Sequence, residues 1–244
     1  MKSFSCEEPI AALASPWGVS AIGVIRTSGE GTLAILSRIF RGPRTQADLS
    51  HGRGSRLYHG YLWDGERKID EIILAVYRKP RSYTGEDSAE IYCHGGLAII
   101  QQILELLLRS GFQQAAPGEF TLRAFLNDKM DLTRAEAVNE IIRAKTDRAR
   151  ALALNRLSGA VERKVQQIKE ALIELSAAVE VQIDYPDEDL EENLIDRTRV
   201  NALILEIEKL LSTYRTGKII QEGTSVVIAG RTNAGKSTLF NLLL

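Results

Sequence analysis

The sequence feature that most constrains the fold is a glycine-rich octapeptide, GRTNAGKS, at residues 230–237. It fits the pattern G-x-x-x-x-G-K-[ST], in which glycines let backbone N–H groups turn toward a phosphate and the lysine reaches the outer phosphates. The pattern requires a strand before the loop and a helix after it. An apolar β-type run at 224–229 precedes the loop, and a helix-like segment at 238–244 follows it. The sequence therefore predicts the first strand, phosphate loop and helix start of an α/β nucleotide-binding domain.

Composition excludes several other protein classes. The 244 residues are 44% hydrophobic and 26% charged, which is average for globular proteins and argues against disorder or collagen-like repeats. The formal net charge is −1, so nucleic acid would have to bind a local patch or another chain. Two cysteines, Cys6 and Cys93, cannot form a disulfide framework. No signal peptide or membrane-spanning run is recognisable, and we expect a cytoplasmic protein with no membrane partner.

The region before residue 128 has a mixed α and β pattern, typical of an α+β domain. The Asp64-Gly65 pair between two apolar runs is a turn signal for an antiparallel hairpin. The predicted elements are a strand at 19–26, a helix after Gly29, hairpin strands at 57–63 and 69–78, a strand at 89–93, and a helix from Leu97 to Arg109 ended by Gly111.

The next region is predicted to be an α-helical domain, because residues 132–183 contain no proline and their apolar residues recur at helical spacing. We expect a break at Ser158-Gly159, a stop at Tyr185-Pro186 and a third helix ended by Gly217, giving three antiparallel helices with an acidic connection at 184–192. A heptad seam runs along the second helix: Val161, Val165, Ile168, Leu172, Leu175 and Val179.

Five segments together resemble the MnmE (TrmE) family of bacterial and organellar tRNA-modification GTPases. The resemblance runs from about residue 9 to residue 244, and the second and third segments are far more specific than the phosphate loop. The five segments are GVIRTSG at 23–29, SYTGEDSAEIYCHGG at 82–96, PGEFTLRAFLNDKMDLTRAEAV at 117–138, DYPDED at 184–189 and VVIAGRTNAGKSTLFN at 226–241.

The resemblance implies three domains. Residues 1–127 would be a tetrahydrofolate-binding and dimerisation domain with an aminomethyltransferase-like α+β fold, and residues 128–219 the first half of a helical domain. Residues 220–244 would begin an α/β Ras-like G domain. Only seven residues follow Ser237, whereas a complete nucleotide site needs later strands, so we expect a fragment that binds GTP negligibly by itself.

The function implied is that of a tRNA-modification GTPase. With the FAD-dependent partner MnmG (GidA), in a heterotetramer, such a protein adds an aminomethyl or carboxymethylaminomethyl group to C5 of the tRNA wobble uridine. A tetrahydrofolate derivative, 5,10-methylene- or 5-formyl-tetrahydrofolate, occupies the folate site, and GTP hydrolysis with Mg²⁺ and K⁺ drives the cycle. The alternatives are a folate-binding dimerisation module without GTPase activity, and a structural arm whose folate pocket is empty.

The resemblance assigns ligand roles to individual residues but no catalytic residue. Arg26, Glu90 and Lys129 would bind folate, because a carboxylate can accept pterin N–H donors and a cation suits the anionic glutamate tail. Which cation meets which part of the ligand stays open. Asn233 would coordinate K⁺ and Ser237 Mg²⁺, and the GTP contacts would be Asn233, Ala234, Gly235, Lys236, Ser237 and Thr238.

Three weaker signals have ordinary explanations. Cys93 and His94 are neighbours that should point to opposite faces of a strand, and no third orienting group is identifiable, so a nucleophile–base pair is disfavoured. A cluster of three acidic residues is better explained as a solvated connection than as a metal site, and five arginines could contact tRNA or be surface charge. These residues are Asp187, Glu188 and Asp189, and Arg38, Arg41, Arg44, Arg53 and Arg56.

Overall fold

The structure, a computed structural model, describes residues 8–42, 49, 54–184 and 197–243. The chain divides into two compact units, residues 1–135 and 136–244, and each is described by itself. The boundaries predicted after residues 127 and 219 stay predictions.

One mixed sheet forms the centre of the first unit. Its order is β3-β4-β5-β6-β2-β1-β7, and every neighbouring pair is antiparallel except β1 and β7, which are parallel. The predicted hairpin is confirmed, with Gly65 at φ 61° in its turn. The strands are β1 Ile10–Leu13, β2 Ile22–Ser28, β3 Phe40–Arg41, β4 Arg56–Asp64, β5 Arg67–Tyr77, β6 Ser88–His94 and β7 Gln113–Gln114.

Two helices cover one face of this sheet, and the candidate site lies on the opposite face. The predicted helices after Gly29 and from Leu97 are confirmed as α1 (Thr32–Ile39) and α2 (Leu97–Arg109). Their apolar residues pack with alternate strand residues into one buried cluster that includes Leu36, Ile100 and Ile91. Because side chains alternate along a strand, the residues between the buried ones point to the opposite face. A third helix, α3 (Glu119–Leu126), follows β7.

The second unit is helical, as predicted. The break at Ser158-Gly159 is confirmed, with Gly159 at φ 78° between two helices. On the heptad seam Ile168 is buried, whereas Leu172 is half exposed. The helices are α4 Leu132–Arg143, which begins in the first unit, α5 Asp147–Leu157, α6 Ala160–Asp184, α7 Arg197–Glu222 and α8 Lys236–Leu243. No helix of the described residues combines the length and apolar character that crossing a bilayer requires.

Two helix predictions were wrong. The helix predicted to stop at Gly217 continues to Glu222 and ends before Gly223, which has φ 76°. A glycine inside a helix costs only about 1 kcal/mol, so favourable neighbours carry the helix through it. An additional break at 144–146 divides the first predicted helix, because the Thr146 side chain accepts a hydrogen bond from the Ala149 N–H at 3.1 Å and caps α5. The described part of 130–222 therefore has four helices instead of three.

The strand predicted at 224–229 is also absent from the described residues. Val226 and Val227 are 73% and 86% exposed, and no described strand pairs with this segment. A strand needs a neighbouring backbone to satisfy its N–H and C=O groups, so an apolar β-type run by itself stays irregular. The predicted stop at Tyr185-Pro186, the acidic connection beyond Asp184 and the cluster Asp187, Glu188 and Asp189 lie outside the described residues.

Candidate functional site

A cavity of about 220 Å³ lies on the sheet face opposite α1 and α2. Its centre is made by Arg26 on β2 and Glu90 on β6, which are directly opposite each other in the antiparallel register. Their strand neighbours Ile25 and Ile91 are buried in the core, so Arg26 and Glu90 point to the open face. The cavity is lined by Arg26, Ser28, Tyr77, Tyr83, Thr84, Ser88 and Glu90.

Arg26 and Glu90 form a close ion pair. Nε and Nη2 of Arg26 donate to the same oxygen, Oε1 of Glu90, at 2.9 and 2.8 Å. The two side chains are 32% and 15% exposed, so the carboxylate is the better shielded partner. The guanidinium carbon lies 5.2 Å from the Tyr83 ring centre and 5.8 Å from that of Phe120. Both rings are within cation–π distance of the guanidinium and form an aromatic wall beside it.

The second oxygen of Glu90 accepts from two tyrosines. The hydroxyl of Tyr92 donates to Oε2 at 2.8 Å, and that of Tyr77 donates at 3.5 Å. The hydrogen bond to Glu90, followed by burial, raises the pKa of Tyr92 to about 12. Burial, followed by the Glu90 charge, raises the pKa of Tyr77 above its ordinary value of 10.0. Both phenols are therefore neutral donors at physiological pH.

A chain of hydroxyl and carboxylate groups forms the wall beside Ser28. Oγ of Ser28 and Oγ1 of Thr84 are 2.6 Å apart, and Ser28 also donates to Oε2 of Glu86 at 2.8 Å. Behind Glu86 lies Arg123 of α3, 1% exposed, whose Nη1 is 3.4 Å from both Glu86 carboxylate oxygens. Nη2 of Arg123 is 3.0 Å from Oε1 of Glu119. This wall is therefore anchored in a buried ion network.

Lys129 lies beside the cavity instead of in it. Its Nζ donates to the backbone oxygen of Pro80 at 3.0 Å, and its side chain packs against Gly85. The residues between them include Tyr83 and Thr84, which line the cavity. The structure thus brings two of the three predicted folate residues together and places the third against the loop that borders them.

Sequence reasoning missed the polar residues that share this face. Ser28 is two positions from Arg26, and Ser88 and Tyr92 are each two positions from Glu90. The period-2 alternation of strands places such residues on one face, so this signal was available once Arg26 and Glu90 were singled out. Tyr77, Tyr83 and Thr84 reach the site through pairing and loop geometry that the sequence does not reveal.

The predicted opposite orientation of Cys93 and His94 is confirmed. Sγ of Cys93 is buried and 3.5 Å from the backbone oxygen of Gly23, whereas the His94 side chain is 67% exposed. The statement that no third group orients His94 was wrong, because Nδ1 of His94 is 2.7 Å from Oδ1 of Asp70, a residue 24 positions away. Burial, followed by the charge of Asp70, raises the pKa of the Cys93 thiol to about 11.

We expect Cys93 to be chemically protected in the folded protein. In a Cys6→Ser variant, Cys93 is the remaining thiol. A pKa of about 11 instead of 9.0 lowers the thiolate fraction at pH 8 about 100-fold, and burial adds to this. Reaction with a disulfide reagent at pH 8 should therefore be at least about 100-fold slower than in the urea-unfolded variant. Equal rates in the folded and unfolded protein would contradict the expectation.

The phosphate-loop motif has a helix behind it and a lysine folded over it. Asn233 and Gly235 adopt left-handed conformations, with φ 61° and 79°, and α8 begins at Lys236. Nζ of Lys236 donates to the backbone oxygens of Gly230 at 3.0 Å and Arg231 at 2.6 Å. An ammonium above a glycine-containing loop at a helix N-terminus fits a phosphate group, and Asn233 and the exposed Ser237 offer oxygens suited to hard cations.

The arginine-rich segment is divided between described and undescribed residues. Arg41 donates to the backbone oxygen of Gly65 at 3.2 Å, and its guanidinium lies over the Trp63 ring at 4.6 Å. Arg44 and Arg53 lie outside the described residues. Contact of this segment with tRNA stays a prediction.

Comparison with protein families decides the identity of both units. Residues 9–129 match the family described as "GTP-binding protein TrmE N-terminus", and residues 132–236 match the family described as "MnmE helical domain". The chain belongs to the MnmE family. The predicted resemblance is thereby confirmed, and the fold consists of the N-terminal domain and the helical domain of this family.

Curated MnmE relatives align with nearly the whole chain. A protein named tRNA modification GTPase MnmE from Treponema denticola is 45% identical over 244 residues, which is 99% of this chain and 51% of the relative. The proteins of the same name from Carboxydothermus hydrogenoformans and Chlorobaculum tepidum are each 42% identical, over 98% and 97% of this chain and 52% and 50% of theirs. The chain spans about half the length of the MnmE relatives it matches.

Proposed function

We propose that this chain is the folate-binding part of a tRNA-modification GTPase. The names of its relatives support the GTPase and tRNA roles. The observation that carries the proposal is the cavity centred on Arg26 and Glu90, since both residues come from segments that resemble the family's folate site. The one-carbon unit of methylenetetrahydrofolate is used, with the FAD-dependent partner MnmG, to add an aminomethyl or carboxymethylaminomethyl group to C5 of the wobble uridine.

The cavity has the polar groups that a reduced folate requires. A pterin presents adjacent N–H donors and a carbonyl acceptor, and the Glu90 carboxylate, the Arg26 guanidinium and the hydroxyls of Ser28 and Ser88 complement these groups. Tyr83 offers an aromatic face to a flat ring. Lys129, next to the loop of Tyr83, supplies a positive charge for the anionic glutamate tail. The pterin ring is then bound by the Arg26–Glu90 ion pair.

The phosphate-loop residues bind GTP in the complete protein. Backbone groups from Asn233 to Thr238, including Ala234 and Gly235, surround the phosphates, and Lys236 exchanges its two carbonyl partners for phosphate oxygens. Ser237 binds Mg²⁺ and Asn233 binds K⁺. When these ions are bound they neutralise charge on the phosphates during K⁺-dependent hydrolysis.

The proposal includes a cytoplasmic homodimer through the first unit and a heterotetramer with MnmG on tRNA. A second candidate is a folate-binding dimerisation module without GTPase activity. It is favoured by the exposed phosphate loop, beside which no described strand forms. The two candidates are distinguished by GTP turnover of the chain extended to the full length of its relatives.

Titration of 5-formyltetrahydrofolate into the chain by calorimetry tests the folate proposal. We expect saturable binding that Glu90→Ala weakens at least about 100-fold, because it removes a partly buried carboxylate and leaves Arg26 unpaired. Glu71→Ala is the matched control, since Glu71 is an exposed glutamate of the same sheet, paired with His59 at 2.7 Å. No binding by the wild-type chain, or equal losses in the two variants, would contradict the proposal.

A further inference from the structure

The two tyrosines on Glu90 reach the same oxygen from different places. Tyr77 lines the cavity, and its hydroxyl is 3.5 Å from Oε2 of Glu90. Tyr92 is not among the described residues that line the cavity, and its hydroxyl donates to Oε2 at 2.8 Å. The bond from Tyr92, which lies outside the lining, is therefore the short one, and the bond from Tyr77, which lines the cavity, is at the limit of a hydrogen bond.

The acceptor capacity of Glu90 is unevenly used. Oε1 receives both Arg26 donors at 2.8 and 2.9 Å, so its lone pairs are occupied by a charged partner. Oε2 has one well-made bond, from Tyr92, and one long contact, from Tyr77. A carboxylate oxygen can accept two hydrogen bonds. The acceptor direction of Oε2 that faces the cavity is therefore occupied only by the long Tyr77 contact.

We propose that Tyr92 is a positioning residue of the site, holding the Glu90 carboxylate from beside the cavity so that Oε2 keeps an acceptor direction open to an N–H donor of the ligand. The donor takes the place of the long Tyr77 contact, and the Arg26 and Tyr92 bonds stay intact. The phenol of Tyr92 remains a donor throughout the physiological range, since its pKa of about 12 keeps it neutral. This inference rests on the proposed folate function of the same cavity.

Affinity for 5-formyltetrahydrofolate in two tyrosine variants is the first test. Tyr92→Phe removes the short bond and is expected to weaken binding about tenfold or more, the usual loss for a hydrogen bond to a charged group. Tyr77→Phe is the comparison, because it removes the same hydroxyl from the same oxygen at the longer distance, and it should weaken binding less than Tyr92→Phe does. Equal losses in the two variants would overturn the inference.

A double-mutant cycle separates positioning from a merely structural role. If Tyr92 acts through the Glu90 carboxylate, adding Tyr92→Phe to Glu90→Gln should change affinity less than about twofold. A structural role predicts the full tenfold loss in both backgrounds, and that result would contradict the proposal.

A ligand-free measurement keeps this inference distinct from the folate proposal. With glutamate labelled by ¹³C at the side-chain carboxyl, the Glu90 signal is assigned by its loss in Glu90→Gln. Tyr92→Phe should move or broaden this signal, and Tyr77→Phe should leave it in place. An unmoved signal in Tyr92→Phe overturns the positioning role even where Glu90→Gln binds too weakly for the cycle. A moved signal in a chain that binds no folate would refute the folate proposal and leave the positioning role standing.

Discussion

Arg123→Met is expected to lower the free energy of unfolding by about 3–5 kcal/mol, because it leaves the buried carboxylate of Glu119 and the partly buried one of Glu86 without their cation. Arg123 is 1% exposed and is within 3.0 Å of Glu119 and 3.4 Å of Glu86. Methionine fills a similar volume but supplies no donor. Urea unfolding followed by circular dichroism measures the change.

The matched control is Arg109→Met. Like Arg123, Arg109 lies in the last turn of its helix, but its side chain is 63% exposed in the ion pair that it forms with Asp64 at 2.9 Å. Exposed pairs contribute about 0–1 kcal/mol, so this variant should be almost as stable as the wild type. A loss below about 1 kcal/mol in Arg123→Met would show that the carboxylates find other partners.

Loss of Arg123 should also weaken ligand binding in the cavity. Glu86 accepts from Ser28 at 2.8 Å, and Ser28 contacts Thr84 at 2.6 Å, so the wall of the cavity depends on where Glu86 is held. We expect folded Arg123→Met to bind 5-formyltetrahydrofolate less tightly than Arg109→Met. Equal affinities would mean that the wall keeps its shape without the arginine.

Gly95→Ala is expected to lower the free energy of unfolding by about 2–3 kcal/mol, because a side chain here has no space. A Cβ on Gly95 would lie 2.3 Å from the backbone oxygen of Ser20, a contact that cannot be relieved by rotating a side chain. The backbone N–H of Ser20 also donates to the Gly95 oxygen at 3.1 Å, so moving one segment breaks the link between the start of β2 and the end of β6.

Gly96→Ala provides the comparison for Gly95→Ala. Its nearest neighbour to an added Cβ is Ile99 at 3.7 Å, an ordinary contact, and its φ of −75° suits any residue. An alanine at this position, which is the N-cap of α2, should lower the free energy of unfolding by less than about 1 kcal/mol. Thermal unfolding of both variants measures the difference, and a Gly95→Ala protein as stable as Gly96→Ala would contradict the steric account.

Local signals predicted much of the fold. The Asp64-Gly65 turn, the Gly111 stop and the Ser158-Gly159 break each act within a few residues, and the structure confirms all three. The break before α5 was missed because Thr146 was not recognised as a cap, although its side chain and the following Asp147 have the composition of a helix start. The predicted helix end at Gly217 was wrong because a single glycine is only a weak signal for the end of a helix.

Long-range pairing is what the sequence could not predict. Arg26 and Glu90 are 64 residues apart, and only the register of β2 with β6 places them opposite each other. The strand β1 has four residues, and β7 has two, too few for a periodic signal. The run at 224–229 has a strong β pattern but forms no strand without a neighbour among the described residues. In these cases the pairing partner, and not the composition of the segment, determines whether a strand forms and which residues it brings together.

The closed Arg26–Glu90 pair determines how the cavity lining recognises a ligand. One positive and one negative side chain line the cavity, so the lining by itself carries no net charge, and the positive charge proposed for the anionic glutamate tail comes from Lys129 beside the cavity. Discrimination among pterins at this pair therefore rests on matching hydrogen-bond donors and acceptors at short range, because the lining offers the ring no net charge.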